Sequence, residues 1–321
     1  MRTQSLHRTA AGALIAGVAA MALTGIAQAA ENYPSKAVTA IVGYRAGGGT
    51  DTLVRAAADP LSKALGQPVL VQNKPGAGGG VAALYVSKTK PDGYTMVITT
   101  STTYSLEPHV QKTAYQNEDF THVAVIGQFQ EAIFTKTGAP FKTLQEMVAY
   151  AKKQKRPLKY ASFYQLDRLV TGYIADKEGI EIIPVPVKGG AGVMPAVLGG
   201  HVDFGWSGGS FAPHARAGTI EMLGAMTYER LGQFPKVPSM KDFGYPTGTE
   251  VFIIVSAAKG TPMPVAKKLA SAWQKAMEDK GVVDIMEKRN QLILFHGPEE
   301  LPALLKKQEK QYGDMVKLLK K

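Results

Sequence analysis

The stretch GYRAGGGTDTLVR, Gly43–Arg55, sets three successive glycines between an apolar run and a segment with helical spacing. The run before it, AVTAIVGY (Ala37–Tyr44), is short and largely apolar, as expected of a strand buried in a parallel sheet. After the glycines, Leu53, Val54, Ala57, Leu61 and Leu65 recur at helical spacing up to Gly66, and Thr50 or Asp51 is the expected N-cap. Glycine loses more backbone freedom on folding than any other residue. A strand–glycine–helix turn therefore implies that something approaches the bare backbone closely. The first amides of a helix are unsatisfied donors at the positive end of the macrodipole, so an anion suits the position. One such end contributes only ~0.3–2 kcal/mol, whereas micromolar binding needs roughly 8 kcal/mol. A second set of donors and a closing cleft are required.

Nucleotide loops are the first alternative, and the residues disfavour them. A P-loop needs Lys and then Ser or Thr after its last glycine, but Thr50 and Asp51 stand there. The second glycine cluster, PGAGGGVAA, offers Gly76 and Gly78 but places Val81 at the third glycine position of the dinucleotide fingerprint.

Outward from the turn, strands and helices alternate. PVLVQN, a helix opened by GGGVAALYVSKTK, and YTMVITT complete one α/β unit. The pattern restarts at TLQEMVAYAKKQ and runs through LKYAS, LDRLVTGYIADKEG, IEIIPVPV, GVMPAVLGG, VDFGWS, SFAPHARAG and IEMLGAMT. A Pro- and Gly-rich passage between Tyr228 and Thr249 precedes the return strand EVFIIVSA and two amphipathic C-terminal helices. This order predicts an α/β protein of two lobes with the chain crossing between them twice. The expected lobes are residues 31–129 with 250–321, and residues 130–249. Small ligands bind at such interfaces and at the carboxyl ends of parallel strands.

The chain has 321 residues, 45% hydrophobic and 20% charged, ample for a buried core. Residues 1–30 differ from the rest: Arg2 and Arg8 precede the apolar run AAGALIAGVAAMALTGIA and the small-residue motif AQA. That order predicts a secretory signal peptide cleaved near Ala29 or Ala30. There is no cysteine, so stability must come from an ordinary core and not from disulfides. The net charge of +11 is concentrated in KKQKR (Lys152–Arg156) and the C-terminal helix, without the interleaved aromatics of a nucleic-acid stripe. No nucleic-acid partner is expected. The six histidines form no zinc-type pair, and Ser207 and Ser210 near His214 do not form a GxSxG elbow. No metal, cofactor or catalytic centre is expected; a sensor built on the same fold and, behind it, a hydrolase with an unfamiliar site are the other classes of reading.

Taken together, GYRAGGGTDTLVR, VQNKPGAGGG, KPDGYTMV, KYAS, PVPVKGGAGVMPAVLGGHVDF and AKGTPMPVAKKL resemble, in order, the motifs of the Bug family. These are periplasmic receptors of tripartite tricarboxylate transporters, and the resemblance spans essentially the whole mature chain. It implies a two-lobed periplasmic-binding-protein (Venus-flytrap) fold with two crossover segments, capture of a small carboxylate, and delivery to membrane-embedded transporter subunits by a monomeric receptor. It also assigns a first-lobe site to Gly47, Gly48, Gly49, Thr50 and Asp51, with Thr99, Ser101 and Thr102 at the same mouth. For Asp51 the reading as a helix cap facing its own backbone stays open.

In the second lobe the sequence departs from that pattern. After KYAS, ending at Ser162, Phe163, Tyr164 and Gln165 stand where the family has small residues, and Trp206–Ser207 stand where many relatives place an aspartate suited to an ammonium. Ser162, Phe163, Tyr164, Trp206 and Ser207 complete the expected site, although Phe163 or Trp206 could equally pack beneath the cleft. Arg168 reads either as a carboxylate partner or as a solvated helix charge. Rings in place of an acid point to a carboxylate without an amine, aromatic acids slightly ahead of dicarboxylates.

Overall fold

The computed structural model describes residues 32–319. The expected signal peptide lies outside the described residues. Two five-stranded sheets organise the chain. The first contains β1 (Val38–Val42), β2 (Val69–Asn73), β3 (Thr95–Thr100), β4 (Phe120–Phe129) and β10 (Val251–Ala258) in the order β2-β1-β3-β10-β4. The second contains β5 (Ala132–Lys136), β6 (Leu158–Ser162), β7 (Ile182–Pro186), β8 (Phe204–Ser207) and β9 (Ile220–Ala225) in the order β7-β6-β8-β5-β9.

The two orders follow one rule. In the first sheet β1 pairs in parallel with β2 and β3, in the second β6 pairs in parallel with β7 and β8, and β10 and β5, the strands delivered by the crossings, run antiparallel to both of their neighbours. The first crossing joins β4 to β5 through Gln130 and Glu131 alone, and the second leads from β9 back to β10. The sequence reading passes over β4 and β5. Nothing in FTHVAVIGQFQEAIFTK marks a turn, because the chain changes sheets there without reversing.

Helices cover both faces of each sheet, which is why inner strands such as β1, β3 and β10 read as continuous apolar runs, whereas the edge strand β2 alternates in burial. Strand β10 is buried at every position. On one face of the first sheet, α1 (Gly49–Leu65) and α9 (Met263–Met277) bury Leu53, Val54, Leu61 and Trp273. On the other, α2 (Gly80–Ser87) and the start of α11 (Leu301–Leu319) bury Ala83, Val86, Leu301 and Leu305. Between them in sequence lie the short helices α3 (Thr102–Ser105) and α4 (Glu107–Val110) and, further on, α10 (Lys280–Lys288).

The second sheet is covered by α5 (Leu144–Gln154), α6 (Gln165–Glu178), α7 (Val193–Leu198) and α8 (Phe211–Arg216). Helix α11 also reaches this lobe: Tyr312, Met315 and Val316 share a core with Leu166, Val170 and Trp206. The C-terminal helix thus lies across the junction rather than within one lobe. No helix among the described residues is long and apolar enough to cross a membrane.

Leu53 is fully buried beneath β1 and is the first apolar contact of α1 after the glycine turn. Leu53→Ala should lose about 2–5 kcal/mol of stability through the lost burial and the cavity left behind. Chemical denaturation measures this directly.

Candidate ligand-binding site

The turn after β1 is built by a carboxylate that faces away from the space it frames. Helix α1 begins at Gly49 with Gly48 as its N-cap, so no side chain caps its first amides. Thr50 and Asp51 were the expected caps; both fall within the first helical turn instead. Asp51 reaches back, accepting the Gly47 amide at 2.8 Å, the Asn73 side-chain amide at 2.7 Å and Arg55 Nε at 3.0 Å. Burial alone would push its pKa up, but the Asn73, Gly47 and Arg55 donors outweigh it and hold the carboxyl below its ordinary value.

A cavity of about 320 Å³ lies between the two sheets, and Gly48, Gly49 and Thr50 line it. From the second lobe come Gly189, Gly190 and Ala191 before α7, Ser207, Gly208 and Ser210 after β8, and Phe163 with Tyr164 before α6. The Phe163 and Tyr164 rings stack at 4.5 Å between centroids. Ser207 Oγ accepts the Gly209 and Ser210 amides at 3.2 and 2.9 Å.

Several expected residues lie behind this wall. Gly47 is exposed and bonded to Asp51 rather than lining the cavity. Thr99 and Ser101 are buried outside the cavity wall, Thr99 directly behind Gly43 and Gly79, and the Phe252 amide donates to Ser101 Oγ at 3.1 Å. Thr100, between them, is the residue that lines the cavity, because successive strand residues face opposite sides. Thr102 is buried and its hydroxyl pairs with that of Thr100 at 2.7 Å.

The same parity separates Trp206, fully buried in the second-lobe core, from Ser207 at the cavity. Ser162 Oγ donates to Asp167 at 2.7 Å and accepts from Arg168 at 3.0 Å, so both side chains serve the β6–α6 turn. Neither is part of the cavity wall.

Other lining residues escaped the sequence reading. The second glycine cluster contributes Pro75–Gly79, where the Tyr44 hydroxyl donates to the Gly78 carbonyl at 3.2 Å and pairs with the Thr100 hydroxyl at 2.6 Å. A Cβ at Gly43 would stand 3.0 Å from Gly79 Cα, so two glycine turns pack backbone to backbone. That cluster does not fit the nucleotide fingerprints, but its glycines permit this approach.

Three charged residues also line the cavity: Arg45, Arg289 and Glu131. Burial disfavours the charge of Arg289, and its Nε is buried without a partner. Glu131 is 3% exposed; Oε1 accepts Trp206 Nε1 at 3.0 Å and the Tyr164 hydroxyl, while Oε2 is buried and partnerless. Burial raises its pKa. No motif flags either residue. Arg289 follows a helix end, and Glu131 stands in a crossing that carries no turn signal. Among the described residues, no group of three metal-ligating side chains comes together.

Two α/β lobes, a double crossing and a ligand-sized cavity between the sheets define a periplasmic-binding-protein fold. Residues 53–320 match the tripartite tricarboxylate transporter family receptors, and the chain belongs to that family. The UPF0065 protein in the gbd 5′ region of Cupriavidus necator is 35% identical over 281 residues, covering 86% of this chain and 85% of that protein. MatC of Rhodopseudomonas palustris, solved with bound malate, superposes with a TM-score of 0.79 at 26% identity, over 88% of this chain and 100% of MatC. A second R. palustris protein, solved with adipate, gives 0.81 at 26% identity, over 89% of this chain and 98% of its own. The family and its structural neighbours are solute-binding proteins, not enzymes.

Asp51→Ala removes the acceptor that holds the glycine turn and should cost about 1–3 kcal/mol at neutral pH. Because the folded pKa is depressed, this stabilisation is present above the unfolded carboxyl pKa and lost as pH falls through the folded value. The difference in melting temperature between wild type and variant should therefore narrow between pH 7 and pH 3.

Proposed function

We propose that this protein is a periplasmic receptor that captures a small carboxylate without an amine, either an aromatic acid or a dicarboxylate. It would be exported by the cleaved N-terminal peptide, act as a monomer and pass its ligand to membrane-embedded transporter subunits. The observation that carries this reading is the donor set of the cavity. The uncapped start of α1, the Arg289 guanidinium with its buried, partnerless Nε, and the glycine turn before α7 all border one space. A carboxylate there would supply the acceptor that Arg289 lacks and complement the positive helix end. The malate- and adipate-bound relatives support a carboxylate as the ligand class. Phe163 and Tyr164 would cover a ring or methylene chain, at roughly 25 cal/mol per Å² of apolar surface removed from water.

In this reading residues 31–129 with 250–321, and residues 130–249, close on the ligand by bending at the two crossings, with α11 astride the joint. Scattering profiles recorded with and without saturating ligand should differ, the bound form being the more compact. Identical profiles would argue against closure.

Gly48 provides the test of the turn. Its φ of −71° suits any residue, and an added Cβ would meet only the Arg45 carbonyl at 3.2 Å. Gly48→Val should therefore fold with a melting temperature within a few degrees of wild type while filling the carboxylate position. Carboxylates that stabilise the wild type by about 2.7 kcal/mol at one hundred times Kd should leave the variant unshifted. Unchanged affinity would remove the turn from the site.

A further inference from the structure

The acid in the cavity wall is unexpected in a receptor for anions. Glu131 occupies the first crossing, between β4 and β5, and its backbone is fixed by the Met226 amide, which donates to its carbonyl at 2.9 Å. Its side chain is held by two donors on one oxygen, Trp206 Nε1 from β8 and the Tyr164 hydroxyl from the start of α6. The second oxygen, Oε2, is buried and has no partner. An ionised carboxylate in that arrangement would leave formal charge on an unsatisfied buried atom, which is strongly unfavourable. A carboxylic acid leaves only an unused O–H.

The surroundings favour the acid. Burial is the leading influence on Glu131, and the Asp167 carboxylate of α6 opposes a second negative charge. Trp206 and Tyr164 act the other way, by hydrogen bonding, while the Thr249 hydroxyl donates to the Met226 carbonyl at 3.2 Å. Tyr312 of α11, also close by, directs its hydroxyl to the Glu250 carbonyl at 2.7 Å. Arg45 and Arg289 share the cavity wall.

We propose that Glu131 is the specificity-determining residue of this receptor, holding a proton on Oε2 that it donates to a second, distal carboxylate of the ligand. The site then takes a dicarboxylate, one end on the α1 turn and Arg289, the other in an acid–carboxylate hydrogen bond with Glu131. The proton remains on the protein, and no bond to it need break. This inference rests on the carboxylate reading above and narrows it to diacids. It also implies that a cleft containing an acid would reject amino acids: a neutral Glu131 gives an ammonium no counter-charge and presents an O–H where an acceptor is needed.

Three proteins and matched ligand pairs test it by calorimetry: adipate against hexanoate, terephthalate against benzoate, and both diacids against glutamate. In the wild type the diacid of at least one pair should bind about tenfold or more tightly than its monoacid, the effect of one charge-assisted hydrogen bond. Glu131→Gln keeps an acceptor for Trp206 and Tyr164 and puts an N–H donor in place of Oε2–H. It should retain that preference within about threefold. Glu131→Leu should lose it, the diacid falling to within about threefold of its monoacid on that same variant, and thermal unfolding of both variants checks that they fold.

Loss of the preference in Glu131→Gln, its survival in Glu131→Leu, or tighter wild-type binding of glutamate than of either diacid would each overturn the assignment. Equal wild-type affinities within every pair would sink the Glu131 role and leave the carboxylate receptor standing. Binding of neither acid series would remove both.

Discussion

One aspartate in each lobe, placed third in the helix that follows the lobe's first parallel strand, holds the turn on which the cavity depends. In the first lobe Asp51 gathers the Gly47 amide, Asn73 and Arg55. In the second, Asp167 gathers the Phe163 and Tyr164 amides at 2.9 and 3.1 Å and the Tyr160 and Ser162 hydroxyls at 2.9 and 2.7 Å. Neither stands at the N-cap, which lies three residues ahead of each. Reaching back instead, each fixes the turn while leaving the cavity side free of its own negative charge. The two differ in electrostatic character. Asp51 shares its site with a half-exposed guanidinium and is held below its ordinary pKa, whereas burial raises that of Asp167 despite four donors.

The second constraint is the pair of crossings. The Met226 amide donates to the Glu131 carbonyl and the Thr249 amide to the Met226 carbonyl, at 2.9 and 2.8 Å, so the two connecting segments run side by side. Phe129, Glu131 and Val251 at these crossings all border the cavity, and Phe129 packs against the cores of both lobes. A ligand in the cavity therefore touches the segments that any relative motion of the lobes would bend. If the lobes close as proposed, binding contacts and hinge would share residues, which would permit a ligand to bias a closed form through differential contacts alone.

How much of this was legible from the sequence follows from the range of each signal. Strand–glycine–helix turns are local, and GYRAGGGTDTLVR announced a turn of that kind without ambiguity. Alternation along a strand is also local, but its phase depends on which face meets the cavity. Thr99, Ser101 and Trp206 could not be told from Thr100 and Ser207 until the sheets were assembled. The strands β4 and β5 went unread because the signal for a change of sheet is tertiary. The Pro75–Gly79 cluster failed the nucleotide fingerprints, and its partner, the backbone at Gly43, is more than thirty residues away in the chain. Arg289 and Glu131 carry no motif at all. What marks them is a buried polar atom without a partner, a property that exists only in the folded chain.

The charge pattern of the cleft links these observations. Both cavity-lining guanidiniums come from the lobe built on the first sheet, Arg45 from the turn before α1 and Arg289 from the end of α10. The second lobe supplies backbone amides, hydroxyls and rings, and beneath them the buried Asp167. A ligand lying across the cleft thus meets full positive charge at one end and neutral donors over a buried acid at the other. An ion pair at the second end would require either an ionised Glu131 next to Asp167 or a cation that the lining does not contain. A proton kept on Glu131 and donated in a hydrogen bond avoids both costs. A hydrogen bond from an uncharged acid at the distal end would also leave that end free to reform when the lobes part, whereas a buried ion pair would hold the cleft shut and oppose release.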